Sequence, residues 1–287
     1  MSTCYFVSDL HGRERRYEKL FAELVTSPPS ALFIGGDIFP SGTMLPTALE
    51  HTYEDFIQEY LVPQFERVRV SLGKRYPRIF VILGNDDGRL YEPAMIEAAE
   101  SGLWEYAHGR QVQFENYVIF GYSYVPPTPF LLKDWERYDV SRYVDPGCVS
   151  PEEGWRTVPV TPQEAKYSTI QEDLAKLGAD VAFENSVCLF HSPPHKTNLD
   201  RADLDGKKID HVPLDPHVGS IAIRKFIETH QPLVTLHGHI HESARLTGSW
   251  RDQIGRTHLM SAAHDGPELA LVQFDSEAPS EAVRRLI

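Results

Sequence analysis

Five short polar clusters in this chain each follow an apolar run directly, and all are built from residue types that bind cations. Asp9-Leu10-His11-Gly12 follows Tyr5-Phe6-Val7, and Gly36-Asp37 follows Leu32-Phe33-Ile34-Gly35. Gly84-Asn85-Asp86-Asp87 follows residues 79–83, His191 follows 187–190, and His237-Gly238-His239-Ile240-His241 follows Val234-Thr235-Leu236. A carboxylate and an imidazole two residues apart, as in Asp9 and His11, can turn to the same side as the chain leaves a strand and chelate one ion. The glycines before Asp37 let the backbone turn tightly and present a carboxylate able to bridge two ions. The amide oxygen of Asn85 is a neutral hard ligand, and His191, His239 and His241 add imidazole nitrogens.

Each cluster has an ordinary explanation when taken alone. An isolated Asp-x-His or Gly-Asp is a common turn or helix cap, and a lone strand-end histidine is usually a satisfied core or surface residue. Chance accounts poorly for five in one chain, each at the end of an apolar run, with three imidazoles inside five residues.

The elements that must position these groups are visible as periodicity. Strand-like runs over 3–8, 31–34, 79–83, 186–190 and 233–236 read as buried strands, and helical patterns cover 13–24, 46–71 (interrupted by Pro63) and 92–100. Alternating strands and helices imply crossover units and a largely parallel sheet, so ligands belong at the carboxyl ends of the strands. Two further runs, 258–262 and 269–274, flank a turn at Asp265-Gly266 and predict an antiparallel ending. Residues 121–162, rich in proline, tyrosine and tryptophan and without periodicity, read as an insertion loop that either shapes a site or covers apolar sheet. With 287 residues, one enlarged α/β domain over 1–287 is the expectation.

Composition narrows the class of function. A formal net charge of -13 repels phosphate backbones, and no dense Lys/Arg run overrides it, so nucleic acid is not the expected partner. The same field disfavours small anions unless bound cations reverse it locally, which again points to metal. Cys4, Cys148 and Cys188 are widely spaced and form no CxxC pattern, which argues against a disulfide framework and for a reducing cytoplasm. No 18-residue apolar run exists, so no membrane span is expected.

In this order and spacing, Asp9-x-His11, Gly36-Asp37, Gly84-Asn85-Asp86-Asp87, His191 and Gly238-His239-x-His241 resemble the calcineurin-like metallophosphoesterases, from the first strand nearly to the last. The resemblance implies an α/β fold, a four-layer α/β/β/α sandwich of two mixed sheets flanked by helices. It also implies two metal ions, the first held by Asp9, His11 and His241, the second by Asn85, His191 and His239, with Asp37 shared. Nitrogen and oxygen donors without thiolate suit divalent or mixed-valence transition metals, with Mn, Fe or Zn foremost. Two such ions against two ligand carboxylates leave a positive site that binds a phosphate ester and makes bridging hydroxide available for in-line attack. The expected partner is therefore a phosphomonoester or phosphodiester substrate.

Asp86 departs from the pattern, standing where these proteins usually carry a histidine that assists the leaving group. It is a candidate proton donor or a turn residue, and the substitution keeps open a second reading, a catalytically weak or inactive metal-binding scaffold that binds a partner protein. Candidate substrate contacts are Asn85, His195, aimed by Pro193-Pro194, and Ser220, which heads the helical run 221–229 and is equally an N-cap. Arg13 and Arg89 follow the ligand motifs closely enough to clamp a phosphate, while His237 and His264 read as strand-end and turn residues.

Overall fold

A computed structural model describes residues 3–40, 53–178 and 183–287. The first half supplies β1 (Thr3–Val7), β2 (Ala31–Gly35), β3 (Arg78–Ile82) and β4 (Glu105–Tyr106), then β5 (Gln111–Phe114) and β6 (Tyr117–Tyr122). The second half supplies β7 (Ser186–Phe190), a small hairpin of β8 (Lys208–Ile209) and β9 (Val212–Pro213), β10 (Val234–His237), β11 (Arg251–Ile254), β12 (Thr257–Ser261), β13 (Ala270–Asp275) and β14 (Val283–Leu286). They form two six-stranded mixed sheets, ordered β14-β13-β1-β2-β3-β4 and β11-β12-β10-β7-β6-β5.

Side-chain alternation along the strands builds the layers. Cys4 and Phe6, Ala31 and Phe33, and Phe80 and Ile82 face the other sheet, meeting Ile119, Val187, Leu189, Val234 and Leu236 in an inter-sheet core. The intervening Tyr5, Val7, Leu32, Ile34, Ile79 and Val81 point outward against helices. Helix α1 (Glu14–Thr26) buries Tyr17, Leu20, Phe21 and Leu24, the i, i+3, i+4, i+7 stripe of an amphipathic helix. Helix α2 (Val62–Leu72) and α3 (Glu92–Glu100) share that side of the molecule's core, contributing Phe65, Val68 and Met95. On the second sheet, α5 (Ile170–Leu177) and α6 (Ile221–His230) cover Cys188 and Phe190 with Leu174, Ile223, Phe226 and Ile227. Strands buried on both faces read as unbroken apolar runs, which is why they stood out in the sequence.

Two expectations need correction. The runs around 258–262 and 269–274 do not pair with each other. β12 lies in the second sheet, parallel to β10 and antiparallel to β11, whereas β13 crosses to the first sheet between β1 and β14, antiparallel to both. The Asp265-Gly266 turn therefore passes between layers, because each run finds its antiparallel partner in another strand. Of the helix expected over 46–71, residues 46–52 lie outside those described and 53–55 are not helical. Its helical part is a widened π turn, Ile57–Leu61, running straight into α2. Pro63 directly follows that π turn, and the chain stays helical through it, so it does not break the helix.

Within the first sheet β1, β2 and β3 are mutually parallel, and within the second β7 is parallel to both β6 and β10. Their carboxyl ends, with the five polar clusters, consequently lie along one edge of the sandwich. Between β6 and α4 (Pro162–Tyr167), residues 123–161 carry only isolated bridges. They are ordered by a buried network in which the Lys133 ammonium meets the Glu136 carboxylate at 2.5 Å, with Thr128 donating to Glu136 from both its amide and its hydroxyl.

Candidate metal centre

The ladder between β1 and β2 does not stop at the strand ends. Asp9 N donates to Gly36 O, His11 N to Asp37 O and Gly12 N to Ile38 O at 2.8–3.0 Å, so the two ligand loops leave the sheet side by side. This exit needs unusual backbone: Asp9, His11, Asp37 and His239 all have positive φ, between 49° and 73°. Gly36, at φ 95°, lets the loop pass under His191, whose Nδ1 would lie 2.7 Å from any added Cβ. A Cβ on Gly238 would stand 2.7 Å from an Asp9 carboxylate oxygen, so only glycine lets the second sheet approach the first this closely.

Two groups of ligand atoms result. Asp9, His11, Asp37 and His241 can each offer one atom such that all lie within 4.8 Å of one another, and Asp37, His191 and His239 do the same. His11 Nε2 and His241 Nε2 are 3.1 Å apart, and His241 Nε2 is 3.2 Å from Asp9 Oδ1. In the second group His191 Nε2 lies 3.2 Å from Asp37 Oδ2 and 3.1 Å from Asn85 Oδ1. Atoms about 2.1 Å from a shared ion stand about 3 Å apart when they subtend a right angle, so these spacings fit nitrogen and oxygen donors around cations. Asp37 belongs to both groups, and Asn85 adjoins the second.

Surrounding contacts fix the orientation of the rings. His191 Nδ1 is 2.7 Å from Gly35 O, which can only accept, so Nδ1 carries a proton and Nε2 is the atom turned to Asp37 and Asn85, free to ligate an ion once its own proton leaves. The His239 amide donates to both oxygens of Asp9. Asp86 lies on the far side of His11, with Oδ2 3.3 Å from Nδ1, while its own amide donates to Asp37 Oδ1 at 2.8 Å. It thus stands against a ligand ring and lines the cleft at the same time.

The electrostatics are those of a site waiting for positive charge. Burial works against ionising Asp9, but the His241 contact and the charges of His241, His191 and His11 hold its carboxyl far below the usual range. Asp37 is likewise lowered, to about 2, because His191 and His11 outweigh its burial. Burial opposes a charged His191, yet Asp37, Asp9 and the Gly35 carbonyl push its ring up to about 9. His239 goes the other way: burial, then repulsion by His191, brings it down to about 3, leaving a neutral imidazole with a free lone pair. Without a cation, protons on imidazole partly compensate the clustered carboxylates.

Other residues singled out from sequence take different places. His195 lines the cleft that opens on the ligand groups, near Asp200 and Asp215. Ser220, expected as a substrate contact, is fully buried. Its hydroxyl accepts from Ile223 N as an N-cap and donates to Asp139, whose carboxylate also takes the amides of Ile221 and Ala222. The amides that a phosphate oxygen would need are therefore occupied by Asp139. Arg13 lines the cleft, whereas Arg89 turns away to Glu92 and the face of Trp135. His237 bonds Ser192 O and Thr235 Oγ1 inside the second sheet, and His264 bonds Glu268.

Two important residues escaped sequence reasoning. Asp87, fully buried, accepts the amides of Ile38, Phe39 and Gly84, clamping the loop after β2 to the loop after β3. Arg16, buried on α1, donates to the carbonyls of Asp9 and Gly266. Asp87 entered the sequence reading only as the last residue of the Gly84-Asn85-Asp86-Asp87 motif, without a role, and Arg16 carried no signal, because both act on backbone atoms.

A two-sheet α/β sandwich whose strand ends gather carboxylates and imidazoles on one edge carries a candidate metal-binding cluster. The chain belongs to the calcineurin-like phosphoesterase family, whose model matches residues 3–243. Among solved structures, one crystal structure shares 15% identity and a TM-score of 0.61 over 99% of this chain and 98% of its own. TT1561 of Thermus thermophilus shares 13% identity and a TM-score of 0.54, over 99% and 98%. At such identity the likeness extends to the fold alone. No curated protein matches the chain.

Proposed function

We propose that this protein hydrolyses a phosphomonoester or phosphodiester at a dinuclear metal centre. In this reading 1–287 is one phosphoesterase domain with 121–162 inserted in it. Asp9, His11 and His241 hold one ion, Asn85, His191 and His239 the other, and Asp37 both, with Mn, Fe or Zn the best matched metals. The observation that carries the reading is the membership of Asp37 in two ligand groups at once. Bound divalent ions supply the positive charge that attracts a phosphate and acidifies water.

The chain's own residues do the rest. Asp9 and Asp37 remain ionised at neutral pH, and the Gly35 carbonyl keeps His191 Nε2 turned inward. Asp86 steadies the His11 ring, and Arg13, on the cleft wall, is available to a phosphate oxygen. His195 stands further along the same wall as a substrate contact.

Metal-reconstituted protein should cleave a generic aryl phosphate monoester or diester. Asp37→Asn and His239→Ala should each lose more than about 100-fold in kcat/KM, beyond the usual cost of removing an outer partner, while circular dichroism stays native. The scaffold reading draws its support from Asp86 standing in place of the usual histidine. Metal-loaded protein that stays inactive with every ester and every fitting metal would favour it.

A further inference from the structure

The cleft that opens on the ligand groups is larger than a phosphate needs and has a different character away from them. Its volume is about 840 Å³, towards the upper end for small-molecule sites, and one continuous surface includes His11, Asp37, Asn85, His239 and His241 at one pole. Beyond that pole two walls present apolar side chains, with acidic ones set among them. Phe130, Val140 and Tyr143 come from the long segment after β6, and Leu204, Ile209 and Leu214 from the segment before α6. The walls meet where Gly147 packs on Ile209. Phe130 is 56% exposed and Tyr143 67%, large side chains that line the cleft and stay open to solvent.

Charge sharpens the selection. Among the described lining residues Arg13 is the only Lys or Arg, while Asp139, Asp145 and Asp215 add negative charge beside the apolar side chains. A second phosphate or a carboxylate on the substrate would meet repulsion there, whereas an uncharged apolar body gains burial. The Lys133–Glu136–Thr128 network holds the Phe130 side of the wall in shape before any ligand arrives.

We propose that the substrate is an amphiphilic phosphate ester, with its single phosphate at the ligand pole and an uncharged alkyl or aryl body between the two apolar walls. The inference rests on the phosphoesterase reading above and names the substrate class for it.

Binding separates the two claims without relying on turnover. A series from methylphosphonate to octylphosphonate is titrated calorimetrically into Mn-loaded protein, with adenosine 5′-diphosphate as a ligand of higher charge. The dissociation constant should fall with each methylene, by up to about fourfold per group at full burial, and octylphosphonate should bind more tightly than the diphosphate. Phe130→Ser and Leu214→Ser should flatten that dependence, and the exposed or half-exposed positions of these residues leave the fold intact. Methylphosphonate binding with no gain along the series, or tighter binding of the diphosphate, overturns the apolar-body proposal alone. If no phosphonate binds, the phosphoesterase reading falls and takes this inference with it.

Discussion

Asp9, His11, Asp37 and His239 occupy backbone conformations that non-glycine residues rarely adopt, and each such residue costs roughly 1–3 kcal/mol. The surrounding fold must impose that strain, and it does so through the backbone hydrogen bonds between the two ligand loops and the Asp87 clamp beneath them. The five clusters were legible because ligand chemistry and strand-end position are both local in sequence. The roles of Asp87 and Arg16 were not, since their partners are backbone atoms, which leave no pattern of residue types. Asp86 is the informative departure: it faces His11 Nδ1, so Asp86→Ala should weaken metal affinity by roughly 10- to 100-fold, as loss of an outer partner of a ligating histidine does. A titration showing wild-type affinity in that variant would remove Asp86 from the support of His11. In the proposed centre protons compete with metal at His191. In metal-free protein its ring is raised to about 9, so its stabilising contribution is complete below the unfolded value near 6.5 and is lost as pH rises through 9. Metal uptake must displace that proton, so affinity should climb across the same interval and each binding event should release protons to the buffer. Calorimetry in buffers of different ionisation enthalpy measures that release, and affinity independent of pH between 6.5 and 9 would contradict the assignment.

At the scale of elements, parallel strands place the ligand loops on one edge, and α6 shows how an element's end can be committed to structure. Asp139 takes two amides of its first turn together with the Ser220 hydroxyl. Asp139→Ala should therefore destabilise the fold by about 1–3 kcal/mol, seen in urea melts, with bound metal unchanged. A loss of metal in that variant would mean that α6 takes part in the site after all. Lys133→Met should be more severe, about 3–5 kcal/mol, because it strands the Glu136 carboxylate in a dry interior, and a double change that also makes position 136 apolar should recover much of the loss. The strands were readable as elements, but the partners of β12 and β13 were not. A turn signal between two strand-like runs carries no information about which sheet each run enters.

The whole molecule combines a strongly negative chain with a pole built for cations. Acidic groups cluster where β1 and β2 of one sheet meet β7 and β10 of the other, and bound metal stabilises the sandwich by linkage: about 2.7 kcal/mol when free metal is 100 times its dissociation constant. Chelation should accordingly lower the melting temperature, and an equal melting temperature with and without chelator would argue against any tight site. The two-sheet architecture followed from the resemblance carried by the five clusters. The apolar cleft did not, because its walls come from the aperiodic segment 123–161 and the stretch before α6, whose convergence only the folded chain reveals. The central claim is that groups from both sheets hold a pair of ions through Asp37. Elemental analysis of reconstituted, dialysed protein tests it directly: two ions per chain are expected in the native sequence and one or none in Asp37→Asn of unchanged circular dichroism. One ion per chain in the native protein, or two retained in the variant, would contradict it.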